Sequence, residues 1–191
     1  MVSNKGSHLP DAILVEKARR GDSAAFEALV RRHYRAAYGV ALGVLGNSMD
    51  AEDVTQDAFV RAVERLDEIK QPGRFIAWLL QIVRNRAKNY HSYRRVRAAQ
   101  PLETVAVAGP SDPGGDAERA ELREALESAL EELSPIQRQV VLLHDMDGWK
   151  HKDIAEVLEV SEGMSRQHLM IARRAVRERL GVQVIKEYRD D

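Results

Sequence analysis

Apolar residues recur along this chain at three- and four-residue intervals between charged positions, and nowhere in the sustained alternation of a half-buried strand. The spacing predicts helices over about Ala12 to Arg20, Ser23 to Leu45, Asp50 to Leu66, Arg74 to Arg95 and Glu118 to Glu132, with three more before Leu180. Phe26, Leu29, Val30, Ala37, Ala41 and Leu45 form one stripe, Phe59, Ala62, Val63 and Leu66 a second, and Ile76, Leu79, Leu80 and Val83 a third. Three such stripes suffice for a compact bundle. From Ala98 to Ala117, AAQPLETVAVAGPSDPGGDA, Pro, Gly and small residues replace the helical period. This predicts a flexible linker that reaches about 66 Å at roughly 3.3 Å per residue. The predicted fold is therefore all-α, with helical domains at 11–97 and 118–181 joined by a linker at 98–117.

The sharpest signals lie between Ser134 and Leu180. Ser134-Pro135-Ile136-Gln137 reads as a helix start, with Ser as cap, Pro where no N–H is needed, and Gln as the capping-box partner. Asp147-Gly148 stops that helix, and a short one follows with Ile154, Ala155 and Leu158 on one face. Glu159-Val160-Ser161 is a turn, and Ser161 caps a third helix whose inner stripe is Leu169, Ala172, Val176 and Leu180. Arg166, Gln167, Met170, Arg173, Arg174 and Arg177 lie mostly off that stripe. Two helices joined by a tight turn, the second carrying Arg and Gln near its start, describe a helix-turn-helix in which Arg can fork onto guanine and Gln onto adenine. A solvated basic helix in a small bundle is the plainer alternative.

Composition permits one or two domains with real cores: 191 residues, 44% hydrophobic and 31% charged. No apolar run approaches a spanning helix, and MVSNKGSHLPD lacks the apolar core of a secretion signal, so the expectation is a soluble protein that stays where it is made. The absence of cysteine excludes a disulfide or thiolate metal site. A net charge of -1 looks wrong for a binder of phosphates until the charges are placed. Arg84, Arg86, Lys88, Arg94, Arg95 and Arg97 occur with no acid among them, whereas Asp50, Glu52, Asp53, Asp57, Glu64, Asp67 and Glu68 crowd the preceding segment. Tyr90, His91 and Tyr93 interleave the cations, as on a surface that tracks a backbone while stacking bases, although a solvated helix end would look the same.

Catalysis finds no support in the residues. The six histidines form no metal-binding pair, and no Gly-rich phosphate loop or nucleophile elbow occurs. Asp145-Met-Asp-Gly lacks the further acidic ligands of a calcium loop, and the acids around Asp50 lack a matching His for a helical metal site. No enzyme activity, cofactor or metal is expected.

The order GDSAAFEALVRRHY, DAEDVTQDAFVRA, GRFIAWLLQIVRNRAKN, a linker, and LSPIQRQVVLLHDMDGWKHKDIAEVLEVSEGMSRQHL resembles the extracytoplasmic-function sigma factors, the compact two-domain branch of the sigma-70 family, from Asp11 to Leu180. The resemblance implies a bacterial cytoplasmic promoter-specificity subunit whose partners are core RNA polymerase and promoter DNA, commonly with an anti-sigma protein. It places Asp53, Val54, Gln56, Asp57 and Phe59 in the core-polymerase-binding stretch, with Phe59 readable more simply as core. It assigns strand opening at the downstream promoter element to the loop Glu68 to Phe75 and the following helix, hence to Lys70, Gln71, Arg74, Arg84, Asn85, Lys88 and Asn89. It assigns the double-stranded upstream element to Ser165, Arg166, Gln167, His168, Met170, Arg173, Arg174 and Arg177, with Arg166 and Gln167 at base edges and the last three Arg at phosphates. The recognition helix departs from a common family form, S-x-G-T-V-K-S-R-L, in reading Ser161-Glu-Gly-Met-Ser-Arg-Gln-His-Leu, so no promoter sequence transfers. A sigma-like decoy that binds an anti-sigma protein, and a helix-turn-helix regulator independent of polymerase, are the competing readings.

Overall fold

Short polar side chains start four of the helices. The computed structural model describes residues 9–98 and 125–187, with side chains for 9–90 and 125–180. Helix α1 spans Asp11–Arg19. Helix α2, Ser23–Leu45, begins at Asp22, whose carboxylate accepts the Ala25 N–H at 3.0 Å, and ends at Gly46 with φ 81°, a left-handed conformation that suits a residue without Cβ. Helix α3, Ser48–Glu64, begins at Asn47, which accepts the Asp50 N–H at 2.8 Å. It starts before the apolar spacing predicts, because the cap rather than the stripe sets where a helix begins. Two 3-10 turns, Leu66–Glu68 and Pro72–Arg74, lead into helix α4, Phe75–Ala98.

Of the predicted linker only Ala98 is described. Helix α5 is seen at 125–131. Helix α6, Pro135–Val141, carries the capping box foreseen in the sequence: Ser134 Oγ accepts the Gln137 N–H, and Gln137 Oε1 accepts the Ser134 N–H at 3.0 Å. The chain continues as a π-helical turn, Leu142–Met146, before Gly148 releases it. Helix α7 is His151–Leu158 and helix α8 is Glu162–Glu187, the latter capped by Ser161 Oγ on the Met164 N–H at 3.1 Å. No strand occurs among the described residues, and the all-α reading stands.

Helix α2 is the axis of the molecule: α1, α3 and α4 pack on it, and so does α6 from the second domain. Leu14, Leu29, Val40, Phe75, Leu79, Leu80 and Val83 are fully buried there, in one cluster with Val140, Leu143 and Ile154 of the second domain. Each such aliphatic side chain contributes about 1.5–3 kcal/mol of gross transfer free energy. A smaller cluster of Leu130, Leu133, Leu142 and Ala172 ties α5 to α8. The two domains thus share a core instead of standing apart at the linker's reach. Arg138 reinforces the join between α5 and α6. Its buried guanidinium donates to the carbonyls of Leu130, Glu131 and Leu133 at 2.6, 3.2 and 3.1 Å, satisfying acceptors that the end of α5 leaves open.

One predicted stripe needs correction. Phe59, Ala62 and Leu66 are buried as the spacing predicts, but Val63 is 45% exposed. It sits where α3 turns its face from α2 toward solvent.

Candidate nucleic-acid interface

The helix-turn-helix forms from α7 and α8, which meet at Glu159 with φ 59° and ψ 42°. A left-handed residue at that corner turns the chain sharply enough for α8 to cross α7. Ser165, Leu169 and Ala172 are buried on the inner face of α8. Helical spacing therefore aims Gly163, Gln167, Met170 and Arg174 outward, and Met170 is 66% exposed. A Gly among long polar, apolar and cationic side chains makes a surface that can approach base edges closely.

Ser165 does not belong to that surface. It lies one turn before Leu169 on the inner stripe, is wholly buried, and shares a 2.9 Å hydrogen bond with His151 Nδ1 at the start of α7. Burial and the neighbouring His144 ring, 4.7 Å away between centroids, push the His151 imidazole below its ordinary value. His168 is half-buried on the flank of α8, and its Nδ1 is buried.

The other nominated cations are exposed, and three engage acids. Arg166 pairs with Glu162 at 2.8 Å and Arg174 with Glu178 at 2.8 Å, both within one turn of α8. Arg173 forks onto Asp145 at 2.9 and 2.5 Å. Burial alone would raise the Asp145 carboxyl, but Arg173 and His144 outweigh it and hold the group below the usual range. Arg177 is exposed beyond them. Exposed pairs within a turn are worth a few tenths of a kcal/mol, so phosphates can displace the acids at little cost.

In the first domain, the loop between α3 and α4 is braced from behind. Arg19 of α1 donates to the Leu66 carbonyl at 3.0 and 2.8 Å and to the Ile69 carbonyl at 2.6 Å. The loop frames an open cleft of about 390 Å³ lined by Lys70, Gln71, Arg74, Trp78 and Gln81, with Glu156 and Val157 of α7 closing one side. Arg74 is ion-paired with Glu156, and Arg84 donates to the Val157 carbonyl at 2.8 Å. Asn85, Lys88 and Asn89 are exposed further along α4. Tyr90 is spent on structure, its hydroxyl donating to Asp50 Oδ1 at 2.9 Å. The side chains of His91, Tyr93 and the cations from Arg94 onward lie outside those described.

The acidic helix α3 divides cleanly by burial. Val54 and Phe59 are 4% and 6% exposed, and Phe59 stacks on Tyr34 at 6.2 Å between ring centroids, so neither is placed to touch a partner. Asp53 and Gln56 are exposed. Asp57 is half-exposed and ion-paired with Arg86 of α4, so the acidic and basic segments are linked here and not separated throughout. Met49, Val60 and Val63 are 51%, 55% and 45% exposed and share the face of Asp53 and Gln56 by helical spacing. Sequence reading placed Met49 and Val60 in no stripe and so passed over them, because the exposure of an apolar side chain shows only once the packing is known.

Two helical domains, the second built on a helix-turn-helix, define a DNA-binding transcription protein of two domains. Residues 29–97 match Sigma-70 region 2 and residues 123–176 match Sigma-70, region 4. RNA polymerase sigma-H factor of Pseudomonas aeruginosa is 30% identical over 87% of this chain and 91% of its own length. ECF RNA polymerase sigma-E factor of Escherichia coli (strain K12) is 28% identical over 88% and 93%. CnrH, solved in complex with the cytosolic domain of CnrY, superposes with a TM-score of 0.64 at 28% identity, over 90% of this chain and 97% of that one. The chain belongs to the sigma-70 family, in its extracytoplasmic-function branch, and is an RNA polymerase sigma factor.

Proposed function

We propose that this sigma factor divides its work among three surfaces. Met49, Asp53, Gln56, Val60 and Val63 on α3 bind core polymerase, apolar contact area being bordered by groups that pair with cations on the partner. The loop cleft with Lys70, Gln71 and Arg74 takes a base of the opened downstream element, while Arg84, Asn85, Lys88 and Asn89 hold the strand. Opening duplex costs roughly 1.4 kcal/mol per stacked step, and with no nucleotide chemistry in the chain this is offset by preferential binding of the single strand. Helix α8 enters the major groove of the upstream element, with Gln167 centred on a base pair, Met170 able to meet a thymine methyl, and Arg173, Arg174 and Arg177 on phosphates.

The observation that carries this reading is the division of α8 into a buried face of Ser165, Leu169 and Ala172 and an outward face of Gly163, Gln167, Met170 and Arg174. The protein acts in the bacterial cytoplasm as a regulatory subunit without catalysis of its own. No helix among the described residues is long and apolar enough to cross a membrane, and none of their His, Asp or Glu side chains form a metal-binding group. The family resemblance makes an anti-sigma protein the expected regulator, and CnrH was solved bound to the cytosolic domain of a partner, CnrY. Run-off transcription with core polymerase and a genomic promoter pool tests the reading. Transcripts that depend on this chain support it; none, with no binding to core polymerase, overturns it.

A further inference from the structure

The sulfur of this chain lies where solvent reaches it. Methionine is among the residue types most often fully buried, and it commonly fills gaps in a core. Here the buried apolar residues are Leu, Val, Ile, Ala and Phe, and every methionine with a described side chain, Met49, Met146, Met164 and Met170, is between 47% and 66% exposed. With no cysteine in the chain, no thiol competes with these thioethers for an oxidant.

Two of the four flank the residue proposed to read a base. Met164 lies three residues before Gln167 on α8, and Met170 three residues after it. That spacing makes the three side chains neighbours along one side of a helix. Ser165, Leu169 and Ala172 are buried on the opposite side, so both sulfurs belong to the outward half of α8.

Oxidation changes what such a surface can do. When hypochlorous acid gives its oxygen to a thioether, an S–O bond forms and the O–Cl bond breaks. The sulfur gives up two electrons, and chloride and a proton leave. A flexible apolar side chain becomes a polar one whose new oxygen only accepts hydrogen bonds. It no longer offers apolar contact to a thymine methyl, and its oxygen faces the groove's own acceptors, thymine O4 and guanine N7 and O6. Methionine sulfoxide reductases, one for each epimer, reverse the change.

We propose that Met164 and Met170 form an oxidation site, through which a two-electron oxygen donor such as hypochlorous acid lowers recognition of the upstream element. The proposal rests on the reading of α8 as the groove-entering helix, and Gln167 separates the two in the test.

The full chain is treated with hypochlorous acid, quenched with free methionine and assembled with saturating core polymerase. Binding is measured to a duplex that the reduced holoenzyme selects from a randomised upstream element, and peptide mass spectrometry reports the sulfoxide at each methionine. Each oxidised protein is compared with its own reduced form. The oxidised parent should bind about tenfold more weakly, the loss of a methyl-sized contact at two residues, and the two reductases together should restore it. Met164→Leu/Met170→Leu, apolar but without sulfur at these positions, should be insensitive. Met49→Leu/Met146→Leu should stay as sensitive as the parent, and it decides the matter should the first variant bind no DNA. Unreacted sulfur at both α8 positions, full sulfoxide with undiminished binding, equal loss without the α8 sulfurs, or loss that the reductases do not reverse each overturns the proposal. Gln167→Ala, kept reduced, tests the reading beneath it: unchanged binding, or a selection that returns no element, defeats the placement of α8 in the groove. Weaker binding by Gln167→Ala beside an oxidation-insensitive parent defeats the oxidation site alone.

Discussion

His151, the first residue of α7, and Ser165, in the second turn of α8, are joined by a 2.9 Å hydrogen bond inside the helix-turn-helix. The bond fixes the crossing of the two helices at the end where α8 presents its outward residues. Ser165 is wholly buried, so Ser165→Ala should destabilise the protein by about 1 kcal/mol. Chemical denaturation reads this directly. Promoter preference, measured by selection from a randomised upstream element, should keep its sequence and lose only strength.

Gln167 should behave in the opposite way. It is exposed at the centre of the outward face, so Gln167→Ala leaves stability within about 0.5 kcal/mol of the parent. It should relax the selected element at one base pair, with about 1–3 kcal/mol of discrimination lost there. Arg177→Ala should weaken all sequences alike and make binding less salt-dependent.

Glu159 supplies a stability prediction with no functional component. Its φ of 59° places a side chain in the left-handed region, where non-glycine residues cost roughly 1–2 kcal/mol. Glu159→Gly recovers part of that strain, less the added freedom of the unfolded chain. A net gain of about 0.5–1 kcal/mol, seen as a higher denaturation midpoint at unchanged slope, is expected.

Acid stability should depend on Asp11. Burial pushes its carboxyl up, but the hydrogen bond and charge of His33 at 2.7 Å, together with Arg32, outweigh burial and leave the group below its ordinary 3.8. A depressed folded value means that the stabilisation is complete above the unfolded value and is lost as pH falls through the folded one. Asp11→Asn should therefore lower the urea midpoint at pH 7 and converge on the parent once pH falls below the depressed folded value. Asp147 carries the reverse sign, since burial raises its carboxyl further than Arg35 lowers it. Asp147→Asn should not reproduce the loss at pH 7.

Local signals were the legible part of this chain. Ser134 with Gln137 and Ser161 before α8 announce their helices because a cap is made by residues three apart. The inner stripe of α8 is legible for the same reason, and with it the outward face. Ser165 escaped because a serine on an apolar stripe looks polar until its partner on α7 is known. Val60 escaped because hydropathy does not distinguish a buried valine from an exposed one. The seating of α6 on α2 was least legible. It depends on the missing side chain of Gly43, which contributes nothing to a periodic pattern, and on pairs such as Arg74 with Glu156 that are remote along the chain.

The three bonds from Arg19 to the carbonyls of Leu66 and Ile69 bear on where the first domain can be cut. The Sigma-70 region 2 match begins at residue 29, downstream of the helix that carries this strut. A fragment trimmed to that limit loses Leu14 and Val15 from its interior and the support behind the loop that frames the cleft. Such a fragment would misreport the affinity of the cleft for the unpaired base proposed to enter it, so isolated-domain work should start upstream of Asp11.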